Sequence, residues 1–270
     1  MLFPSLDKEG TGVWTLAVLS WSAGFQPAGG RSTMTVVIYR ERGYLPHLEL
    51  QDRSYFVTFR LADSVPAELL EAWKYEREDV RKKAQEQNRK LSKYEAERLK
   101  YLYSERVEKY LDSGAGDCWL KNPEIGRMVL DALKYFDGDR YDLHSWSVMP
   151  NHVHVLFTPK SQPGGSKIDS LLIPILHSWK SFTSNRANRI LGRQGRFWQE
   201  EYYDSLVRSD RQFAFYVHYI LENPVKAGLC KQWQEWPWSG CSHEIRSWLS
   251  EIEAGGQDAR APSPERRDLS

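Results

Sequence analysis

Residues 141–158, YDLHSWSVMPNHVHVLFT, decide the fold. Two runs rich in β-branched and aromatic residues flank Pro150-Asn151, which predicts strands over 141–149 and 152–158 joined by a tight turn. Side chains two apart on a strand share a face, so His152 and His154 project together while Val153, Val155 and Phe157 take the opposite side. That pattern suits a sheet with one side in the core.

Working outward, YFVTFRL at 55–61 alternates in the same way and predicts the first strand. Asp63-Ser64 followed by Pro66 is a helix-start signal. Residues 67–112 are dominated by Glu, Lys, Arg, Gln and Ala with apolar residues at helical spacing; the interleaved charges predict one or two solvated helices. Gly114 and Gly116 end this arm. Residues 123–136 and 168–191 read as helices, 197–207 as a strand, and 210–222 as a helix that stops before Pro224. Without the arm the order is β-α-β-β-α-β-α. This is an α+β, ferredoxin-like split β-α-β arrangement, with an antiparallel sheet, one added C-terminal helix and an inserted charged helical arm.

The chain has 270 residues, with 37 Lys+Arg against 36 Asp+Glu, so an anionic partner must be held by a local basic patch rather than by bulk charge. A hydrophobic share of 41% argues for a folded protein. Three cysteines without a CxxC pair argue against a disulfide framework or a structural zinc site, and fit a reducing cytoplasm. No apolar run reaches the roughly 18–20 residues of a membrane span. The apolar stretch 13–21 has a mixed-charge flank at Asp7-Lys8-Glu9, unlike a signal peptide. Residues 1–33, Gly/Ser/Pro-rich toward their end, read as a disordered extension with Met34 as an alternative start. The domain spans 34–250 and a polar tail 251–270.

Tyr219 and Asn223 lie four apart near the end of the last helix and share a face. An Asn carbonyl oxygen beside two neutral imidazoles makes a mixed N/O site suited to Mg²⁺ or Mn²⁺ bound together with a phosphate oxygen. Tyr219 beside that site is a candidate nucleophile; its phenol, with an ordinary pKa near 10, needs a cation to offset developing charge. Taken singly, two strand histidines outside any site and a core aromatic remain the stronger readings of these residues.

Together the motifs resemble a family. MPNHVHVLFTP (149–159) is similar to the histidine–hydrophobic–histidine motif of single-tyrosine HUH transposases. YFVTFRLADSVP (55–66), GRFWQEEYYDSLVR (195–208) and YVHYILENPVKAGL (216–229) resemble the REP-associated tyrosine transposases, in the family's order and across residues 40–235. The resemblance implies that His152, His154 and Asn223 hold a divalent metal, Mg²⁺ or Mn²⁺, and that Tyr219 attacks DNA. It implies a metal-dependent single-stranded DNA endonuclease and strand transferase that forms a 5′-phosphotyrosine at hairpins of repetitive extragenic palindromes. The implied location is cytoplasmic and nucleoid-associated, as a monomer or homodimer. Tyr216 is the nearest rival nucleophile, seven residues before Asn223, whereas Tyr202 and Tyr203 read as packing on a strand.

For DNA contacts, Lys180, Arg186, Arg189, Arg193 and Arg196 form a basic stretch without Asp or Glu, and Trp179, Phe182 and Trp198 are candidates to stack on bases. A solvated helix face is an equal reading of any one of these arginines. A histidine-triad hydrolase is excluded because position 156 is Leu, and a two-histidine phosphoesterase because a second HxT or HxS motif is missing. Two other classes stay open: a domesticated, non-catalytic hairpin-binding protein, and an interaction protein working through the 67–112 arm.

Overall fold

The computed structural model describes residues 14–17, 37–42, 45–50, 53–100, 106–160 and 170–253. Strands β1 (Trp14–Ala17), β2 (Val37–Arg42) and β3 (Leu45–Leu50) form a small antiparallel sheet. The strand expected to come first is therefore the fourth, β4 (Tyr55–Arg60). Apart from β1, the extension assigned to 1–33 lies outside the described residues, as does the tail beyond 253.

Among the described residues the charged arm is helical, as expected, in α1 (Ala67–Glu86), α2 (Lys93–Lys100) and α3 (Arg106–Asp112). Val65, Trp73 and Leu111 bury a small core that joins α1 to α3. Asn122 caps α4 (Pro123–Lys134) by accepting from the Glu124 N–H, with Pro123 in the first turn. Strands β5 (Tyr141–Val148) and β6 (His152–Pro159) follow, joined at Pro150-Asn151. Then come α5 (Leu172–Ile190), β7 (Tyr203–Leu206), α6 (Asp210–Lys226), β8 (Ser239–Cys241) and α7 (His243–Glu253).

The main sheet is antiparallel and ordered β7-β4-β6-β5-β8. Its first four strands carry the split β-α-β order, with β8 added at one edge. Two faces follow from the period-two alternation. Tyr55, Val57 and Phe59 of β4 and Val153, Val155 and Phe157 of β6 pack under α4 and α5 with Ile125, Val129, Ile175 and Trp179. Phe56 and Leu156 take the other face, under Phe213, Val217, Ile220 and Leu221 of α6 and Trp248 of α7. Strand β6 is buried along its whole length. No helix among the described residues is long and apolar enough to cross a membrane.

Two boundaries differ from the sequence reading. The strand expected over 197–207 is limited to β7, because consecutive Phe197 and Trp198 are both buried in the same core, which strand alternation forbids. That segment instead runs along the end of β4, through a Leu61–Trp198 bridge and the Ala62 N–H donating to the Phe197 carbonyl. The helix expected to stop before Pro224 continues to Lys226. Pro224 costs one hydrogen bond, and the helix closes around it: the N–H groups of Ala227, Gly228 and Leu229 donate to the carbonyls of Asn223, Val225 and Pro224. Gly228, at φ +69°, makes the left-handed exit.

Gly126 of α4 lies where a Cβ would sit 2.9 Å from both the Leu120 carbonyl oxygen and the Trp238 ring. Gly126→Ala is expected to destabilise the fold by about 1–3 kcal/mol, read as a lower denaturant midpoint at unchanged slope.

Candidate active site

Strand β6 supplies the two histidines and α6 covers them. His152 and His154 are 1% and 0% exposed, with Nε2 atoms 3.0 Å apart. Each ring is oriented through its other nitrogen. Asn151 Nδ2 donates to the carbonyls of Leu111 and Ala115, so its Oδ1 faces His152 Nδ1 at 2.7 Å and accepts that proton. His152 Nε2 therefore carries a lone pair. Thr58 of β4 lies opposite His154 in register, with its Oγ1 2.8 Å from Nδ1. Burial pulls the His152 pKa down to about 3, the Asn223 side chain opposing. Burial pulls His154 well below the usual range too, helped by His152. Both rings are neutral in the physiological range, the form that ligates metals.

Asn223, 1% exposed, approaches from α6, and its Oδ1 is buried without a hydrogen-bond partner. A buried, unpaired carbonyl oxygen costs about 1–3 kcal/mol unless something occupies its lone pairs. Two Nε2 atoms 3.0 Å apart match cis ligands around an octahedral ion with bonds of about 2.1 Å. The three side chains thus fit a small divalent cation. Among the described residues there is no alternative cluster of three or more His, Cys, Asp or Glu able to hold a metal.

Tyr219, one turn before Asn223, packs edge-on against His154, with ring centroids 5.3 Å apart, and edge-on against Phe56 at 5.6 Å. The Glu108 carboxylate of α3 lies beside its phenol. Burial first, then the charges of Glu108 and Asp112, push the phenol far above its ordinary value. Lys226 lies over the Tyr219 ring, 5.4 Å from its centroid. Tyr216 is different. Its ring stacks flat on Phe56 at 4.4 Å, and its hydroxyl donates to Ser205 Oγ of β7 at 2.7 Å. Tyr203, also against Phe56, is raised by burial.

The structure brings His152, His154, Asn223 and Tyr219 together. It does not bring the predicted basic stretch to them, because α5 packs on the opposite face of the sheet. Lys180 is tied to the carbonyls of Gln199 and Glu200 at 2.6 Å, Arg193 lies over the Trp119 ring, and Arg186 and Arg189 are exposed on α5. Arg196 sits 3.7 Å from Glu200, in the segment that reaches the end of β4. Trp179 and Trp198, expected to stack on bases, are buried in the core, their indole N–H groups donating to Tyr141 and Thr183; Phe182 is exposed.

Thr58, Asn151 and Glu108 were not singled out from sequence. Thr58 and Asn151 carried a signal, since both lie inside the quoted motifs at positions facing the histidines. Glu108 carried none: twelve other Glu and Lys residues crowd α1 and α2, and only the docking of α3 against α6 distinguishes it.

No protein-family model matches the chain. It is 26% identical over 118 residues to a Haemophilus influenzae protein named as a REP-associated tyrosine transposase, a match covering 40% of this chain and 64% of that relative. It is 25% identical over 132 residues to the REP-associated tyrosine transposase of Escherichia coli K12, covering 48% of this chain and 73% of the relative. A solved structure of a REP-associated tyrosine transposase bound to a REP hairpin aligns with 83% of this chain and 90% of its own, at 16% identity and a TM-score of 0.40.

The buried histidines make the metal-free protein acid-sensitive. Their folded pKa values are depressed, so below about 6.5 the unfolded chain binds protons that the folded one does not. As pH drops from about 6.5 toward 3, stability is expected to fall by up to about 1.4 kcal/mol per pH unit through His152, and His154 adds to the fall in the same direction. Chelator-treated protein unfolded in urea across that range should show this slope, and the double variant His152→Gln/His154→Gln a shallower one.

Proposed function

We propose that this chain, a homologue of the REP-associated tyrosine transposases, cleaves and rejoins single-stranded DNA beside hairpins of repetitive extragenic palindromes, with Tyr219 as nucleophile. The observation that carries this reading is the buried His152–His154 pair, its Nε2 atoms 3.0 Å apart, with Tyr219 packed on His154 and the Asn223 carbonyl oxygen left unpaired.

Tyr219 Oη attacks the phosphorus of a phosphodiester, the O3′ atom leaves as a hydroxyl, and the downstream strand stays attached as a 5′-phosphotyrosine. A later attack by a 3′-hydroxyl reverses the bond exchange, so no external energy source enters. The Glu108 carboxylate beside the phenol is the group placed to receive its proton. Lys226 above the ring offsets charge as the oxygen becomes anionic. His152, His154 and Asn223 would hold Mg²⁺ or Mn²⁺, which supplies Lewis-acid polarisation of the phosphate. Asn151 and Thr58 keep the two Nε2 atoms aimed at that place. Phe215, exposed beside Tyr219 with ring centroids 6.2 Å apart, offers a face for an unpaired base.

A hairpin-bearing single strand labelled at both ends, incubated with Mn²⁺ or Mg²⁺, tests this. A covalent adduct with the 3′-side fragment is expected, abolished by chelator and by Tyr219→Phe but retained by Tyr216→Phe, which loses only a hydroxyl engaged by Ser205 and Gln212. Tight hairpin binding without any adduct would instead favour the non-catalytic binder. Thr58→Val, which removes the partner of His154 Nδ1, is expected to weaken Mn²⁺ binding about 10–100-fold in calorimetric titration, with the fold retained.

A further inference from the structure

Arg60 sits on the strand that pairs with the histidine motif. The alternation of β4 sends Tyr55, Val57 and Phe59 into the α4/α5 core and places Phe56, Thr58 and Arg60 on the face that carries the histidines. Thr58 pairs with His154 in register, and Arg60 with His152. The backbone here is pinned from both sides: the Gln199 N–H donates to the Arg60 carbonyl and the Leu61 N–H to the Asn151 carbonyl, each at 2.8 Å. Arg60 thus occupies a fixed place beside the turn that starts the histidine motif.

Its guanidinium is poorly satisfied. Several arginines find carboxylates: Arg98 and Arg106 share Glu76, and Arg89 pairs with Glu95. Arg60 forms no ion pair among the described residues; its side chain makes one long hydrogen bond, 3.4 Å from Nη1 to Ser64 Oγ. Ser64 is itself fully buried and donates to the Leu61 carbonyl. Burial lowers the Arg60 pKa to about 10, with the charge of Glu201 opposing. Five N–H donors, mostly withdrawn from water and mostly unused, carry a desolvation cost that an anionic ligand would offset.

We propose that Arg60 binds a non-bridging oxygen of the phosphodiester that Tyr219 attacks, holding it against the His152–His154–Asn223 site. The guanidinium fork matches two oxygens of a phosphate, and its charge opposes the negative charge that grows on those oxygens during in-line displacement. This assignment rests on the strand-cleavage reading, and it makes Arg60 a substrate-contacting residue rather than a packing one.

The test uses the full chain, the hairpin-bearing strand and Mn²⁺, under single-turnover conditions, with wild type, Arg60→Gln, Arg60→Lys and Arg60→Ala. Melting temperature and Mn²⁺ affinity are measured for each. The expected result is a loss of about 10²–10³-fold in the rate of adduct formation for Arg60→Gln. Arg60→Lys should fall between it and wild type, melting temperature and Mn²⁺ affinity should be unchanged, and added guanidinium ion should partly restore Arg60→Ala. A rate within about threefold of wild type overturns the assignment. So does a loss that merely follows lower melting temperature or weaker Mn²⁺ binding. A wild-type protein that forms no adduct overturns the strand-cleavage reading itself, which separates the two failures.

Discussion

Burial of His152 and His154 between the sheet and α6 is the constraint around which the rest of the molecule is arranged. A charged imidazole at that depth would lose its hydration, so both rings stay neutral and keep lone pairs available. Neutral rings still need their remaining nitrogens satisfied, and the surroundings do this: Asn151 at the start of β6 and Thr58 on the neighbouring strand each meet one Nδ1. The antiparallel register of β4 and β6 is what sets Thr58 opposite His154 and Arg60 opposite His152. A slip of one residue would turn every one of these groups to the far face.

The two faces of the sheet consequently do different work. The α4/α5 face is a packed aromatic core, where Tyr141, Phe157 and Trp179 meet edge to face and spend their polar atoms on one another. The α6 face is thinner and polar at its centre. Phe56 organises it, stacking on Tyr216 and His154 and meeting Tyr219 edge-on. That wedge separates two tyrosines one helical turn apart: Tyr216 is engaged by Ser205, while Tyr219 leans on His154 with the Glu108 carboxylate beside its phenol.

The inserted arm belongs to the site. Asn151 grips the carbonyls of Leu111 and Ala115 at the end of α3 while it orients His152, so one side chain couples the arm to the histidine pair. The same α3 helix brings Glu108 and Asp112 to Tyr219. These charges raise the barrier to ionising the phenol in the resting protein. The exposed remainder of the arm, with Arg89–Glu95 and the Glu76 pairs, is held by surface ion pairs worth little each.

The strand pair 141–158, the alternation in 55–61, the split β-α-β order and the grouping of His152, His154, Tyr219 and Asn223 were all legible in the sequence. Each is a local periodicity or a motif read by residue type: period two on a strand puts the histidines together, and a four-residue spacing stacks Tyr219 on Asn223. That the basic stretch at 180–196 lies across the sheet from the histidines was not legible, because sequence spacing shows which residues share a helix face but not which side of the sheet the helix covers. Trp179 and Trp198 misled for the same reason, since an indole that stacks on a base and one that fills a core look alike in a chain. The arm's part in the site, the poorly paired guanidinium of Arg60 and the separate fates of Tyr216 and Tyr219 were settled by tertiary structure alone. They depend on contacts between residues distant in the chain, Glu108 with Tyr219 and Ser205 with Tyr216 among them, and such contacts exist only once the sheet and α6 have closed on each other.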